Sequence, residues 1–122
     1  KAMEATKFNS KNNNLEVEVL EGDMFTPVQG RKFGTIVCNP PYLPPAERYD
    51  DPELNLAVEG GPTGTEFTIQ LLSLAKEYLE HKGSIYMILS SRMDEFKTEW
   101  NKKIIKQEKY FFERLNLVRF NF

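Results

Sequence analysis

Thr35-Ile36-Val37-Cys38-Asn39-Pro40-Pro41-Tyr42 is a short apolar run that breaks into two successive prolines. Proline lacks a backbone N–H and fixes φ, so neither a strand ladder nor a helix continues through Pro40-Pro41. The chain leaves any sheet there with its geometry largely set. Residues 35–38 read as a strand, and ligands of open α/β sheets sit at the carboxyl ends of strands, which puts Asn39 and Tyr42 at a crevice. The residue types suit a planar NH2 group, whose delocalised nitrogen lone pair is a weak nucleophile. Asn39 offers a carboxamide oxygen and Pro40 a backbone carbonyl, two acceptors for the two N–H bonds, and the Tyr42 ring can stack on the flat group. The plainer reading is a rigid Pro-Pro loop with an Asn cap and a packing tyrosine.

Downstream, Leu56-Ala57-Val58-Glu59-Gly60-Gly61-Pro62-Thr63-Gly64 reads as a flexible loop. Its glycines permit positive φ and close backbone approach, and Thr63 or Thr65 can cap the helix that Glu66 enters. Between the two motifs, Leu43 to Asn55 is rich in Pro, Glu and Asp and includes Arg48 and Tyr49. It reads as a long surface loop of the kind that contacts substrate, or as a solvated connector.

Thr65 to His81 carries apolar residues at helical spacing and is expected to be a helix stopped by Gly83, with His81 near its C-terminal cap. Ser84-Ile85-Tyr86-Met87-Ile88-Leu89 is nearly continuous in apolar character, as for a central strand beside residues 35–38. Ser91 to Glu99 reads as a short helix capped by Ser90 or Ser91. Asn101 to Lys109 fits either an extension of that helix or a strand of a terminal hairpin with Glu113 to Phe122. Lys102, Lys103, Lys106 and Lys109 then form a solvated face.

Upstream, Leu15-Glu16-Val17-Glu18-Val19-Leu20 alternates as a half-buried strand and runs into the polar turn Glu21-Gly22-Asp23-Met24-Phe25. Lys1 to Asn13 reads as a helix.

The 122 residues, 40% hydrophobic and 28% charged, fit one modest domain. A net charge of -2 advertises no general nucleic-acid field. One cysteine, Cys38, excludes an internal disulfide, and its place in an apolar strand predicts a buried thiol. Nothing supports a catalytic histidine or a metal site. Without a membrane-length apolar run or a leader pattern, a cytoplasmic location is the default expectation.

Asn39-Pro40-Pro41-Tyr42 resembles the amino-group motif of class I S-adenosylmethionine-dependent methyltransferases, shared by adenine N6-methyltransferases and the HemK-like glutamine N5-methyltransferases. The segment from Ala57 to Gly64 resembles the Ala-x-x-Gly-Gly-x-x-Gly stretch of the HemK-like branch. The resemblance implies transfer of a methyl group to the glutamine of the Gly-Gly-Gln loop of a peptide-chain release factor. Asn39, Pro40 and Tyr42 would be catalytic, Pro41 would join them in binding substrate, and Asn39 would also border the cofactor. Asp23 would hydrogen-bond the cofactor's adenine, with Met24 or Phe25 against its ring. Glu108 to Leu115 resembles the closing β-hairpin of the archaeal and eukaryotic type, whose members work with a small zinc-binding activator.

The implied fold is Rossmann-like, with sheet order 3-2-1-4-5-7-6. No Gly-x-Gly run is present to back the cofactor's methionine part. Residues 1–122 are therefore expected to be the C-terminal portion of one catalytic domain, without its first two strands and glycine-rich loop, and by themselves weak in cofactor affinity and activity. The strand at residues 15–20 would then either pair directly with residues 35–38 or remain an open edge. The competing functions are an adenine N6-methyltransferase of RNA or DNA, acting on an unstacked base, a non-catalytic interaction module, and an unrelated α/β domain.

Overall fold

The computed structural model describes residues 1–45 and 49–122, so Arg48 of the expected substrate loop lies outside the described residues. The chain divides into two compact units, Lys1–Gly30 and Arg31–Phe122.

In the first unit, α1 spans Ala2–Asn12, as the sequence predicts. Asn14 then takes a positive φ of 52° and the Leu15 amide reaches back to the Ser10 carbonyl at 2.9 Å, which stops the helix. The strand expected over residues 15–20 does not form, and this stretch belongs to no sheet. Leu15, Val17 and Leu20 are 61%, 52% and 44% exposed. An alternating pattern becomes a strand only when a neighbouring strand takes its backbone groups, and among the described residues none pairs with this stretch.

The second unit is built on four strands, β1 (Phe33–Cys38), β2 (Leu79–Ser90), β3 (Asn101–Lys109) and β4 (Arg114–Asn121), in the spatial order β1-β2-β4-β3. β1 and β2 are parallel and the other pairs antiparallel. The order matches the 4-5-7-6 stretch of the sheet that the resemblance implies. Asn101–Lys109 is a strand of the terminal hairpin and not a helical extension.

Register explains the core. Ile85 lies opposite Phe120 and Met87 opposite Val118. These four side chains share one sheet face, and none is more than 1% exposed. Burying each contributes about 1.5–3 kcal/mol. Helix α3 (Glu66–Ala75) buries Thr68, Leu71, Leu72 and Ala75, the i, i+3, i+4, i+7 stripe of an amphipathic helix.

Three boundaries depart from expectation. The predicted helix over residues 65–81 ends early: α3 stops at Ala75, one 3-10 turn covers Lys76–Tyr78, and β2 begins at Leu79, paired with Phe33. His81 is therefore a strand residue and not a helix cap. Lys82, at φ 64°, absorbs an irregularity in the ladder between Phe33 and Thr35. Strand pairing outweighs local helical spacing here.

The loop expected over residues 43–55 contains the start of a helix, α2 (Pro52–Val58). Asp51 caps it, its carboxylate accepting from the Glu53 amide at 2.9 Å, and Pro52 occupies the first turn, where its missing N–H costs nothing.

No helix forms over residues 91–99. The Ser90 hydroxyl does accept from the Arg92 amide at 3.1 Å, but the Asp94 amide bonds the Thr63 carbonyl at 3.1 Å, so it is not available to a helical ladder.

Candidate functional site

β1 delivers Asn39 at the carboxyl end of the sheet. Cys38 pairs with Met87, and β2 runs on to Ser90, which pairs with Leu115 at the start of β4. The Asn39–Tyr42 turn, the residues after Ser90 and the β3–β4 hairpin tip therefore share one end of the second unit. Pro40 is buried, Pro41 and Tyr42 are half-buried, and Asn39 is exposed. Among the described residues no hydrogen bond engages the Asn39 carboxamide, so its oxygen is open to a ligand. Cys38 is half-buried rather than fully buried, and burial pushes its thiol up from the ordinary value.

A cavity of about 130 Å³ is lined by Asn39, Pro40, Pro41, Tyr42, Leu43, Ala57 and Val58. That is about the volume of four liquid waters, well short of the roughly 300–1,000 Å³ of a cofactor-sized pocket. It has room for a small group such as a side-chain amide.

Ala57 and Val58, at the end of α2, form the other wall, and the glycines that follow pack against the turn. The Leu43 amide donates to the Val58 carbonyl at 2.8 Å and the Gly60 amide to the Leu43 carbonyl at 2.9 Å, a parallel bridge that ties the end of α2 to the proline turn. A Cβ on Gly60 would lie 2.6 Å from the Pro41 carbonyl oxygen and 2.9 Å from the Tyr42 Cα. Leu56, Ala57 and Val58, read as loop, are the last turn of α2. Only Glu59 to Thr65 is irregular.

Capping of α3 also differs from the expected threonine cap. Thr65 is the N-cap residue but makes no side-chain cap bond. Instead the Glu66 carboxylate accepts from the Thr63 amide at 3.1 Å, the Thr63 hydroxyl at 2.9 Å and the Thr65 amide at 3.1 Å. Burial would raise the Glu66 carboxyl, but hydrogen bonds from its own amide and from Thr63 and Thr65 outweigh this and hold it below the usual carboxylate range.

Tyr42 has neighbours that sequence reasoning missed. Burial raises its phenol, the Glu113 carboxylate raises it further, Arg92 opposes and Tyr110 adds a small rise. The phenol is therefore neutral at physiological pH and can donate a hydrogen bond. Glu113 is held by the Ser90 hydroxyl at 2.6 Å. The available signal was Ser90-Ser91 at the end of the buried strand, where a second parallel strand opens onto the same crevice.

In the first unit the Asp23 turn is pinned by Thr26, whose hydroxyl donates to the Asp23 carbonyl at 2.8 Å and whose amide bonds it at 3.0 Å. The Asp23 carboxylate is exposed, and no hydrogen bond from the described residues engages it. Met24 is half-buried with a positive φ of 48°, a strained value for a residue with a Cβ, and Phe25 is buried. An open carboxylate beside a half-exposed thioether fits an adenine amino group and ring face.

Among the described residues there is no cluster of His, Cys, Asp and Glu that could hold a metal ion, and no helix is long and apolar enough to cross a membrane.

Comparison with known proteins gives concordant results. Residues 1–52 match the methyltransferase small domain. A putative protein N5-glutamine methyltransferase of Methanocaldococcus jannaschii is 38% identical over 102 residues, covering 83% of this chain and 51% of that protein. The release factor glutamine methyltransferase of Geobacter sulfurreducens is 32% identical over 81 residues, covering 62% of this chain and 28% of the relative. A chain of the E. cuniculi Mtq2–Trm112 complex, responsible for methylation of the eRF1 translation termination factor, superposes with a TM-score of 0.59 at 18% identity, covering 93% of this chain and 66% of the other. That likeness establishes the mixed α/β fold. The chain spans about half the length of the archaeal relative, and by sequence it is related to the protein glutamine N5-methyltransferases.

Proposed function

We propose that residues 1–122 supply the C-terminal portion of the catalytic domain of an S-adenosylmethionine-dependent N-methyltransferase acting on the glutamine side-chain amide of a peptide-chain release factor. The observation that carries this reading is the small cavity at the Asn39–Tyr42 turn, closed on its far side by Ala57 and Val58 at the end of α2 and with room for a small group only. The relatives named for release-factor and N5-glutamine methylation support the substrate class.

S-adenosylmethionine, when bound, supplies a methyl group on a positively charged sulfur. Asp23 and Met24 are the residues of the first unit suited to its adenine. The Asn39 carboxamide oxygen and the Pro40 carbonyl would accept the two amide N–H bonds and so fix the direction of the nitrogen lone pair. Tyr42, held neutral, lies against the amide plane. Transfer to the held amide would exchange one of its N–H protons, released to water, for the methyl group that the cofactor supplies, and the cofactor would leave as a neutral thioether. No strong base is needed, because the amide nitrogen loses that proton readily once alkylated.

A cytoplasmic location and a small zinc-binding activator subunit accord with this substrate, and the Trm112 partner of the structural neighbour is the parallel for the second. The test is methyl transfer from labelled cofactor by the full protein, offered a release factor, the same factor with its Gly-Gly-Gln glutamine replaced, and RNA. Label on the intact factor alone is the expected result. Label on RNA would establish the adenine alternative instead.

A further inference from the structure

The tip of the β3–β4 hairpin carries Tyr110, Phe111 and Phe112, exposed by 60%, 93% and 85%. Phe111 and Phe112 pack edge to face with ring centroids 4.6 Å apart, so each ring supports the other while both stay in water. Two adjacent open phenylalanines are costly to solubility, and such patches mark sites of association.

This tip is not loose. The Tyr110 amide closes the turn on the Glu113 carbonyl at 2.7 Å. The Arg114 amide donates to the Ser91 hydroxyl at 2.9 Å, the Ser91 amide returns to the Arg114 carbonyl at 2.9 Å, and Ser90 holds Glu113. These bonds fasten the hairpin to the end of β2, the strand beside the one that delivers Asn39. Cys38 pairs with Met87 and Ser90 with Leu115, so the aromatic tip and the Asn39–Tyr42 turn stand at the same end of the sheet.

We propose that Phe111 and Phe112 are a docking platform for the protein that carries the methyl-accepting amide, seating an apolar patch of that protein beside its reactive loop. The proposal rests on the glutamine reading. A protein substrate fits better than a small molecule because the platform lies outside the cavity, at the same end of the sheet as the Asn39–Tyr42 turn. Rigid aromatics lose little side-chain entropy on binding, which suits them to anchor a partner without touching the reacting atoms.

The experiment is steady-state methyl transfer to the release factor by the full protein, comparing wild type, Phe111→Ser/Phe112→Ser and Asn39→Ala, with thermal unfolding of each. The double variant is expected to raise KM by at least about tenfold while kcat stays within about twofold. A short Gly-Gly-Gln peptide, too small to reach the platform, should be modified equally by both proteins. An unchanged KM in the double variant, with Asn39→Ala inactive, would overturn the platform and leave the glutamine reading intact. A loss of kcat on the short peptide would also overturn it, since the tip would then be serving the chemistry. Transfer to no protein or peptide by wild type would overturn both.

Discussion

Gly64 lies under Tyr42 so closely that a Cβ on it would stand 2.5 Å from the Tyr42 carbonyl oxygen. The same residue has a φ of +78°, a conformation that side chains rarely adopt. Two independent constraints therefore fix glycine at this position, and both bear on the turn that would grip substrate. Gly64→Ala should cost about 1–3 kcal/mol from backbone strain alone, plus whatever displacement of Tyr42 the clash forces. Gly30→Ala has a similar φ of +77° with nothing near its Cβ, and isolates the strain term. Urea unfolding of both variants checks this. Equal losses would mean that the turn yields freely and that the contact is unimportant.

Asn39→Ala removes an exposed side chain that no hydrogen bond within the described residues engages, so stability should change by less than about 0.5 kcal/mol. Turnover should behave differently. Losing one oriented hydrogen-bonding group is expected to lower kcat by a factor corresponding to about 2–4 kcal/mol. Single-turnover methyl transfer together with a melting curve separates the two effects. Near-normal turnover would remove Asn39 from the chemistry.

Tyr42 is assigned a stacking role, and its ionisation distinguishes this from a role as base. Its phenol is raised above the ordinary tyrosine value, first by burial and then by Glu113. A raised phenol contributes stability that is complete below the unfolded-state value near 10 and fades as pH rises through the folded one. Activity should therefore show no alkaline loss from Tyr42 below about pH 10. Tyr42→Phe should retain most turnover, while Tyr42→Ala loses about 0.5–1.5 kcal/mol of stacking. In Glu113→Gln the phenolate absorbance of Tyr42, obtained as the difference from Tyr42→Phe, should appear at lower pH.

Much of the site was legible because it rests on residues with few conformational choices. Pro40-Pro41 must end a strand, Gly60 and Gly64 must allow close approach, and the nearly continuous apolar run through Ile85 and Met87 must form a buried strand. What escaped depended on partners distant in sequence. Leu15 to Leu20 has the pattern of a strand but, among the described residues, no strand beside it to complete it. Leu79 fits the helical spacing of α3, yet pairing with Phe33 draws it into β2. The placement of Glu113 near Tyr42 follows from the pairing of Ser90 with Leu115, which local pattern does not encode. Asp51-Pro52 is a different case, since the capping signal for α2 stands in the sequence and was outweighed by the surrounding prolines and acids.

Glu66 organises the entry to α3, and its removal should be felt on the acid side. Its carboxylate accepts from the Thr63 and Thr65 amides and the Thr63 hydroxyl, besides its own amide. A Cβ on Gly61 would stand only 2.4 Å from a Glu66 carboxylate oxygen, so the glycine turn is folded directly onto this side chain. The carboxyl is held below its ordinary value in the folded chain. A depressed carboxyl contributes stability that is present above the unfolded-state value and lost as pH falls through the folded one. Glu66→Gln keeps one acceptor oxygen but cannot titrate, so its stability should be lower than wild type at neutral pH, with the gap narrowing as pH falls through the carboxylate range. Urea unfolding of both proteins from neutral pH down to about pH 3, below the ordinary glutamate value, measures that gap. A gap independent of pH would show that Glu66 acts through its shape and not its charge.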